Sequence, residues 1–340
     1  MAADAERRLL EARVLGACSL RDYELVRVAG VGRRGMCLVA RCARGAAAAR
    51  APERLYALKL TFDASDGDLP ALLALERADV DVASRLPAHP AIAGYLAQFI
   101  DAPGAALLRG GAPPEFAAAA ASPGRLAQFT VFEHVEGTTL QAYLAANGPP
   151  GPAVLVRLAR DMLGALAFLA PLGVCHRDVE PDNIMVAAGG PEPRFVLIDF
   201  GLAVSVDPAT MADPAFTDGG LPGGSNRHFH APEVLNVALR AERAARTGRG
   251  GGGVHVMPYG RQDVFALGCV LYEAASGGLH PLGPEYPGGF VNGGGDVAYE
   301  DSAIGALPRE FGERFAAVVR SMLACDPRAR ASAAGALAML

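Results

Sequence analysis

The chain contains no tryptophan, and it lacks both an excess of positive charge and a long apolar run. Its 340 residues hold 31 Lys and Arg against 36 Asp and Glu. This balance argues against a nucleic-acid-binding protein, because such proteins normally present a basic face. The nearest approach to a membrane segment, residues 155–174, is interrupted by Arg157, Arg160 and Asp161. We therefore expect neither a nucleic-acid partner nor a membrane partner.

Cysteine is scarce: six residues are scattered along the chain, without a CxxC pair or metal-ligand spacing. This pattern favours reduced thiols in an intracellular compartment, the cytoplasm or the nucleus. The first twenty residues carry six charged side chains and contain no apolar core of a signal peptide. We therefore expect residues 1–20 to be an N-terminal extension ahead of one domain over residues 21–340.

The hydrophobic fraction of 51% is large enough for a sizeable core. Alternating apolar residues predict strands over residues 23–39, 55–60 and 128–132. Helical spacing of apolar residues predicts helices over residues 69–86, 154–169, 264–275 and 311–323. The Ala- and Gly-rich segments 102–123 and 238–253 are interpreted as insertions. Strands followed by helices predict an α+β architecture with two lobes.

A glycine-rich motif lies between the first two predicted strands, where the sequence Gly30-Val31-Gly32-Arg33-Arg34-Gly35 forms a GxGxxG. Without side chains, such a loop can close over phosphates and present its backbone N–H groups to them. A dinucleotide-binding fingerprint needs a helix after the glycines, whereas a strand follows here. In a chain with 41 glycines, the motif alone fits an ordinary hairpin equally well.

The most specific pattern is the run CHRDVEPDNIM, from Cys175 to Met185, which Asp199-Phe200-Gly201 follows. It combines an HRD tripeptide, an Asn five residues after the Asp of that tripeptide, and a DFG. Phosphoryl transfer needs such a set, because one group accepts the proton of the substrate hydroxyl and two more hold magnesium. On these motifs the chain resembles the eukaryotic-type protein kinases, and serine/threonine kinases in particular.

The resemblance implies a two-lobed protein-kinase-like fold, with a small β-rich N-lobe at about residues 21–135 and a larger helical C-lobe at about 136–340. It implies that Asp178 is the catalytic base and that Asn183 and Asp199 bind Mg²⁺. Lys59, in Tyr56-Ala57-Leu58-Lys59, matches the strand lysine that contacts the phosphates of ATP. Asp79 is the narrowly preferred carboxylate partner of that lysine, and Glu76 is the alternative.

The remaining ATP-binding residues are also implied by the resemblance. The backbone of Glu133 and Val135 would bind the adenine edge, although an edge strand running into a turn explains this segment equally well. The family pattern adds the glycine loop and residues that line the nucleotide site: Gly30, Val31, Gly32, Gly35, Cys37, Ala57 and Met185.

Later motifs follow in the family's order. Ala231-Pro232-Glu233 matches the APE motif, and Arg330 matches the late arginine that pairs with its glutamate. Thr217 is the best candidate for an activating phosphate and Thr210 is the second, and an unmodified loop is the alternative. The implied partners are protein substrates, with an upstream kinase or an activating subunit. The activating subunit is characteristic of the cell-division-cycle 7 type, which the chain resembles faintly.

One position departs from the family pattern. Serine/threonine kinases normally carry Lys two residues after the HRD Asp, where it contacts the γ-phosphate, but this chain has Glu180. Three interpretations stay open: the side chain turns out to solvent, a nearby arginine such as Arg227 neutralises it, or the protein is a nucleotide-binding pseudokinase that acts as a scaffold. Because Lys59, Asp178, Asn183 and Asp199 are all present, an active enzyme is favoured.

Overall fold

The computed structural model describes residues 19–32, 35–43, 53–61, 82–102, 126–190, 192–207, 209, 213–216, 226–246, 255–257 and 259–340. The chain divides into two compact units, one that ends at Val135 and one that begins at Glu136. Within the described residues, no helix is both long and apolar enough to cross a membrane.

The first unit contains a five-stranded antiparallel sheet with the strand order β1-β2-β3-β5-β4. Its strands are β1 Tyr23–Gly32, β2 Gly35–Cys42, β3 Leu55–Thr61, β4 Tyr95–Asp101 and β5 Ala127–Glu133. The strands predicted at residues 23–39, 55–60 and 128–132 are confirmed. β4 was not predicted, because only part of its apolar pattern alternates.

One face of this sheet packs into an apolar core, in which the rings of Tyr23 and Phe129 both stack on Phe99. Side chains alternate between the two faces of a strand, so β3 buries Tyr56, Leu58 and Leu60 on this face and turns Lys59 to the other. Lys59 therefore lies on the face of the sheet opposite to this core.

The second unit is mostly helical. Its helices are α1 Leu140–Asn147, α2 Pro152–Leu169, α3 Pro232–Arg246, α4 Gln262–Ser276, α5 Gly312–Met322 and α6 Ala333–Met339. The predicted helices at residues 154–169, 264–275 and 311–323 are therefore confirmed. α4 is central, since nearly every one of its side chains is buried. The C-terminal helix α6 was not predicted, and it begins after Ser332, whose hydroxyl caps it by accepting from Gly335 N.

Short strands hold the loops of the second unit. β6 Gly137–Thr139, β8 Ile184–Ala187 and β9 Arg194–Leu197 form a three-stranded antiparallel sheet. β7 Val174–Cys175 pairs with β10 Val204–Ser205, and β11 Asp213–Phe216 pairs with β12 His255–Met257. Two loops, one from β7 to β8 and one from β9 to β10, therefore start and end on paired strands.

The structure corrects the interpretation of residues 238–253 as an insertion, because helix α3 continues to Arg246. Val234, Leu235, Ala238 and Ala241 are buried at helical spacing. The alanines that suggested a loop are thus the buried stripe of an amphipathic helix. The other predicted insertion, residues 102–123, lies almost entirely outside the described residues, as does most of the helix predicted at 69–86.

Candidate active site

The catalytic loop, which we define as residues 176–183, begins at His176, whose side chain is completely buried. Its Nδ1 accepts a hydrogen bond from Asp178 N at 3.3 Å, so the proton of a neutral ring belongs on Nε2. That nitrogen lies 3.0 Å from Ile198 O, directly before the DFG motif. The ring also contacts Phe200 edge-on, with 4.7 Å between centroids. His176 therefore joins the two loops of the site.

Asp263, in the first turn of α4, holds the backbone of the catalytic loop through hydrogen bonds. Its buried carboxylate accepts hydrogen bonds from His176 N at 2.7 Å and from Arg177 N at 2.9 Å. Arg177 has a positive φ of 64°, which is unfavourable for a side chain other than glycine. The two hydrogen bonds stabilise this conformation. The backbone at Arg177 in turn sets the orientation of the next residue, Asp178.

Asn183 is hydrogen-bonded to both the backbone and the side chain of Asp178. Its Nδ2 donates to Asp178 O at 2.9 Å and to Asp178 Oδ2 at 2.8 Å. Because the amide nitrogen is engaged on Asp178, the amide oxygen of Asn183 remains the end that can bind a cation. The backbone of Asn183 also accepts from Ile198 N at 2.9 Å, which connects it to the strand before Asp199.

Asp199 adopts a left-handed conformation, with φ 62° and ψ 78°, and its Oδ1 accepts from Gly201 N at 3.0 Å. The turn buries Phe200 against His176, and Asp199 lies at the start of the DFG motif. Carboxylate and amide oxygens are the ligands that Mg²⁺ prefers in proteins. The donor set of Asp199 and Asn183 therefore fits magnesium.

Glu180 lies on the same loop, half-buried, and its Oε2 accepts from Asn226 Nδ2 at 3.3 Å. Burial, followed by the negative charge of Asp178, raises the pKa of Glu180 to about 7, although the hydrogen bond from Asn226 opposes the shift. Arg227 forms an ion pair with Glu242 instead. Among the described residues, Glu180 is therefore half-buried against Asn226, and Arg227 is paired with Glu242.

Residues 229–231, ahead of α3, are tied to α4 and to the following loop. Gln262 accepts from Ala231 N at 2.7 Å and donates to Phe229 O at 3.2 Å, while Tyr286 Oη donates to His230 O at 2.6 Å. Burial lowers the pKa of His230 to about 4, so this ring stays neutral beside Gln262. The segment is thus held by uncharged hydrogen bonds.

His228, Glu273 and His280 form a second cluster behind this segment. Nε2 of His228 lies 3.0 Å from Glu273 Oε1, and Nε2 of His280 lies 3.1 Å from the carbonyl oxygen of His228. The Nδ1 of His280 accepts from Leu282 N at 3.2 Å. Although these three residues are close enough to share a metal ion, both ring nitrogens of His280 are already engaged with the backbone.

Glu233 and Arg330, which the sequence paired across 97 positions, contact each other through two hydrogen bonds. Nη1 and Nη2 of the arginine donate to the two carboxylate oxygens at 2.6 and 3.0 Å. Arg330 is fully buried, and it also donates to the carbonyl oxygens of Ala324, Cys325 and Arg261. This pair anchors the start of α3 to the segment after α5.

In the first unit, the sheet register brings several predicted nucleotide-binding residues into adjacent positions. Cys37 lies opposite Gly30 on one side and opposite Lys59 on the other. Ala57 is opposite Phe132, one residue before Glu133. Backbone N of Glu133 donates to Gly94 O at 2.8 Å. Gly32 and Gly35 are the facing ends of β1 and β2, and Val31 precedes Gly32.

Comparison with known proteins decides the family: residues 127–339, more than half of the chain, match the protein kinase domain. The chain belongs to the protein kinase family. It is 33% identical over 156 residues to the serine/threonine-protein kinase/endoribonuclease IRE1b of Arabidopsis thaliana, a match that covers 46% of this chain and 15% of that protein.

Bacterial proteins are similar to the kinase domain at comparable identity. The serine/threonine-protein kinase pkn3 of Myxococcus xanthus is 34% identical over 166 residues, which cover 48% of this chain and 26% of that protein. For the serine/threonine-protein kinase PrkC of Bacillus subtilis, the identity is 28% over 149 residues, covering 44% and 19%. The matches thus span about a quarter or less of these relatives' own length.

Within the kinase domain, sequence reasoning missed the side chains that support the loop. Asp263 lies one residue before the helix predicted at residues 264–275, and neither it nor Gln262 nor Tyr286 was assigned a support role. The sequence feature that could have indicated a support role is an acidic or amide residue at the start of a strongly apolar helix. Asp79 and Thr217 lie outside the described residues, so the Lys59 partner and the phosphosite stay predictions.

Proposed function

We propose that the chain is an ATP-dependent serine/threonine protein kinase, which transfers the γ-phosphoryl group of Mg-ATP to Ser and Thr hydroxyls of proteins. The observation that carries the proposal is the pair of hydrogen bonds from Asn183 to Asp178, since they fix a base and a metal ligand relative to each other. The serine/threonine-protein kinases to which the chain is similar support the same activity.

Each residue of the site has a distinct role in this proposal. Asp178 accepts the proton of the substrate hydroxyl. Asn183 holds the carboxylate of Asp178 at a fixed position for this role. Asn183 and Asp199 offer oxygens to Mg²⁺, which when bound supplies positive charge opposite the transferred phosphoryl group. By the family pattern, Lys59 and the glycine loop are the residues that bind the triphosphate, and Ala57, Cys37 and Met185 are residues that bind the base.

Residues 226–231 receive the protein substrate in this proposal, because they lie next to the catalytic loop through the contact between Asn226 and Glu180. An upstream kinase acting on Thr217, or an activating subunit as in the cell-division-cycle 7 type, belongs to the proposal as a mode of activation. Arg177 is the residue that an activating phosphate would contact.

A second candidate function is a nucleotide-binding pseudokinase that acts as a scaffold. The observation that favours it is Glu180, because a negative charge beside Asp178 opposes the approach of a triphosphate. The two functions differ in turnover but share nucleotide binding, so one experiment separates them.

The experiment incubates the full chain with Mg²⁺, labelled ATP and a basic protein such as myelin basic protein. Asp178→Asn is the test variant, because it keeps the shape of the side chain and removes the base. Asp182→Asn is the matched control, since it makes the same change at an exposed residue of the same loop. We expect transfer by the unchanged chain and by the control, and its loss in Asp178→Asn. ATP-dependent thermal stabilisation without transfer by any of them would favour the pseudokinase.

A further inference from the structure

In the part of the chain that the structure describes, the charges that act on Glu180 are negative. The carboxylates that act on it belong to Asp178 in the catalytic loop, to Asp182 in the following turn and to Asp199 of the DFG motif. On the side of residues 226–231, Glu180 contacts the uncharged amide of Asn226, and the adjacent Arg227 is paired with Glu242. Among the residues that the structure describes, no cation forms an ion pair with Glu180.

The backbone keeps Glu180 in this environment. Its φ and ψ of −147° and 166° are extended, and Pro181 follows directly and begins a short 3-10 turn that buries Asn183. Proline restricts its own φ and the conformation of the residue before it. The side chain of Glu180 is therefore held beside the residues that receive the nucleotide, half-buried and with no compensating charge from the described residues.

We infer that Glu180 takes up a proton when Mg-ATP binds and that it stays a neutral carboxylic acid during phosphoryl transfer. The inference rests on the proposed function, since it assumes that nucleotide binds at Asn183 and Asp199. It assigns Glu180 the role of a proton-coupled binding residue, in which the neutral O–H is a hydrogen-bond donor where the family has a lysine. Only one O–H bond forms, and the proton comes from solvent.

The electrostatic reason is linkage between proton binding and anion binding. With a pKa of about 7, half of the nucleotide-free protein already carries neutral Glu180 at neutral pH. Mg-ATP keeps a net negative charge after the charge of one Mg²⁺ is counted, and like charges raise the pKa of a carboxyl group on the same loop. The charged form of Glu180 therefore binds nucleotide more weakly than the neutral form, and binding must draw a proton from solvent.

Titration calorimetry of the full chain with ATP at saturating Mg²⁺ tests this inference. The apparent binding enthalpy is measured at pH 7.5 in buffers that differ in ionisation enthalpy, and the slope gives the protons taken up. Since about a quarter of Glu180 is already neutral at this pH, we expect uptake of about 0.7 proton per nucleotide. The affinity should also weaken about tenfold between pH 7 and pH 8.5.

Two variants test whether Glu180 is the group that takes up the proton. Glu180→Gln mimics the neutral acid and keeps an oxygen for Asn226, so it should abolish the uptake and flatten the pH dependence of the affinity. Asp182→Asn is the control, because it removes a charge from the same turn but leaves Glu180 in place, and it should retain most of the uptake. Thermal unfolding of both variants at pH 7.5 shows whether they are folded.

The outcomes separate the inference from the proposed function. Binding without proton uptake, or uptake that is unchanged in Glu180→Gln, overturns the inference even if the chain transfers phosphate. Proton uptake that disappears in Glu180→Gln, in a chain that never transfers phosphate, supports the inference and refutes the kinase activity. Absence of nucleotide binding at every pH refutes both.

Discussion

Removing the charge of Glu233 should destabilise the second unit far more than removing the charge of an exposed glutamate. Arg330 has no exposed surface, and Glu233 is only 12% exposed, so their ion pair is shielded from water. The variant Glu233→Gln leaves the buried guanidinium with an amide oxygen and the backbone carbonyls of Ala324, Cys325 and Arg261. Its positive charge then has no partner among the described residues.

Breaking a buried ion pair by changing one partner typically costs about 3–5 kcal/mol, because the remaining charge stays desolvated. We expect Glu233→Gln to lower the free energy of unfolding by an amount in this range. Glu242→Gln is the matched control: its partner Arg227 is 45% exposed, and pairs at the surface contribute less than about 1 kcal/mol.

The assay is urea unfolding followed by far-ultraviolet circular dichroism, since the chain has no tryptophan to report by fluorescence. The double variant Glu233→Gln with Arg330→Met removes both charges and should recover most of the loss. Equal costs for Glu233→Gln and Glu242→Gln would refute the reasoning, because burial would then make no difference to the pair.

Three further predictions concern the loop and the buried histidines. Glu180→Lys should raise the turnover number, because a cation replaces an acid beside the phosphates; steady-state kinetics with an unchanged or lower rate would contradict this. Asp263→Asn should lower turnover about 100-fold with little change in nucleotide affinity, since it weakens the support of the loop and displaces Asp178; an equal loss of affinity would argue for unfolding instead. Burial lowers the pKa of His230 to about 4 and of His280 to about 3, so the unfolded chain binds protons below pH 6.5 before the folded chain does. The free energy of unfolding should therefore fall by about 2 kcal/mol per histidine between pH 7 and pH 5, and His280→Gln should reduce that fall in urea titrations at the two pH values.

Much of the fold could be predicted because its signals are local. The apolar period of α2 and α4 and the alternation in β3 depend on residues a few positions apart, and such periods follow directly from helix and strand geometry. By contrast, α3 was partly misjudged, because its buried stripe consists of alanines that have a weak apolar signal. The short helix α6 was missed for the same reason.

The sequence by itself determined the chemical identity of the site, since the catalytic-loop residues Asp178 and Asn183 lie within one short run and Asp199 follows at a fixed distance. It also revealed the departure at Glu180. Such motifs can be read because the residues that act together are close in sequence or carry a recognisable spacing.

Only the tertiary structure decided what surrounds these residues. It brought Asp263 under the backbone of His176 and Arg177 from 86 or more positions away. It paired Arg227 with Glu242 and left Glu180 among carboxylates, which changes the proton affinity of Glu180. Burial and long-range contacts set the charge state of an ionisable group, and neither is written in the local order of residues.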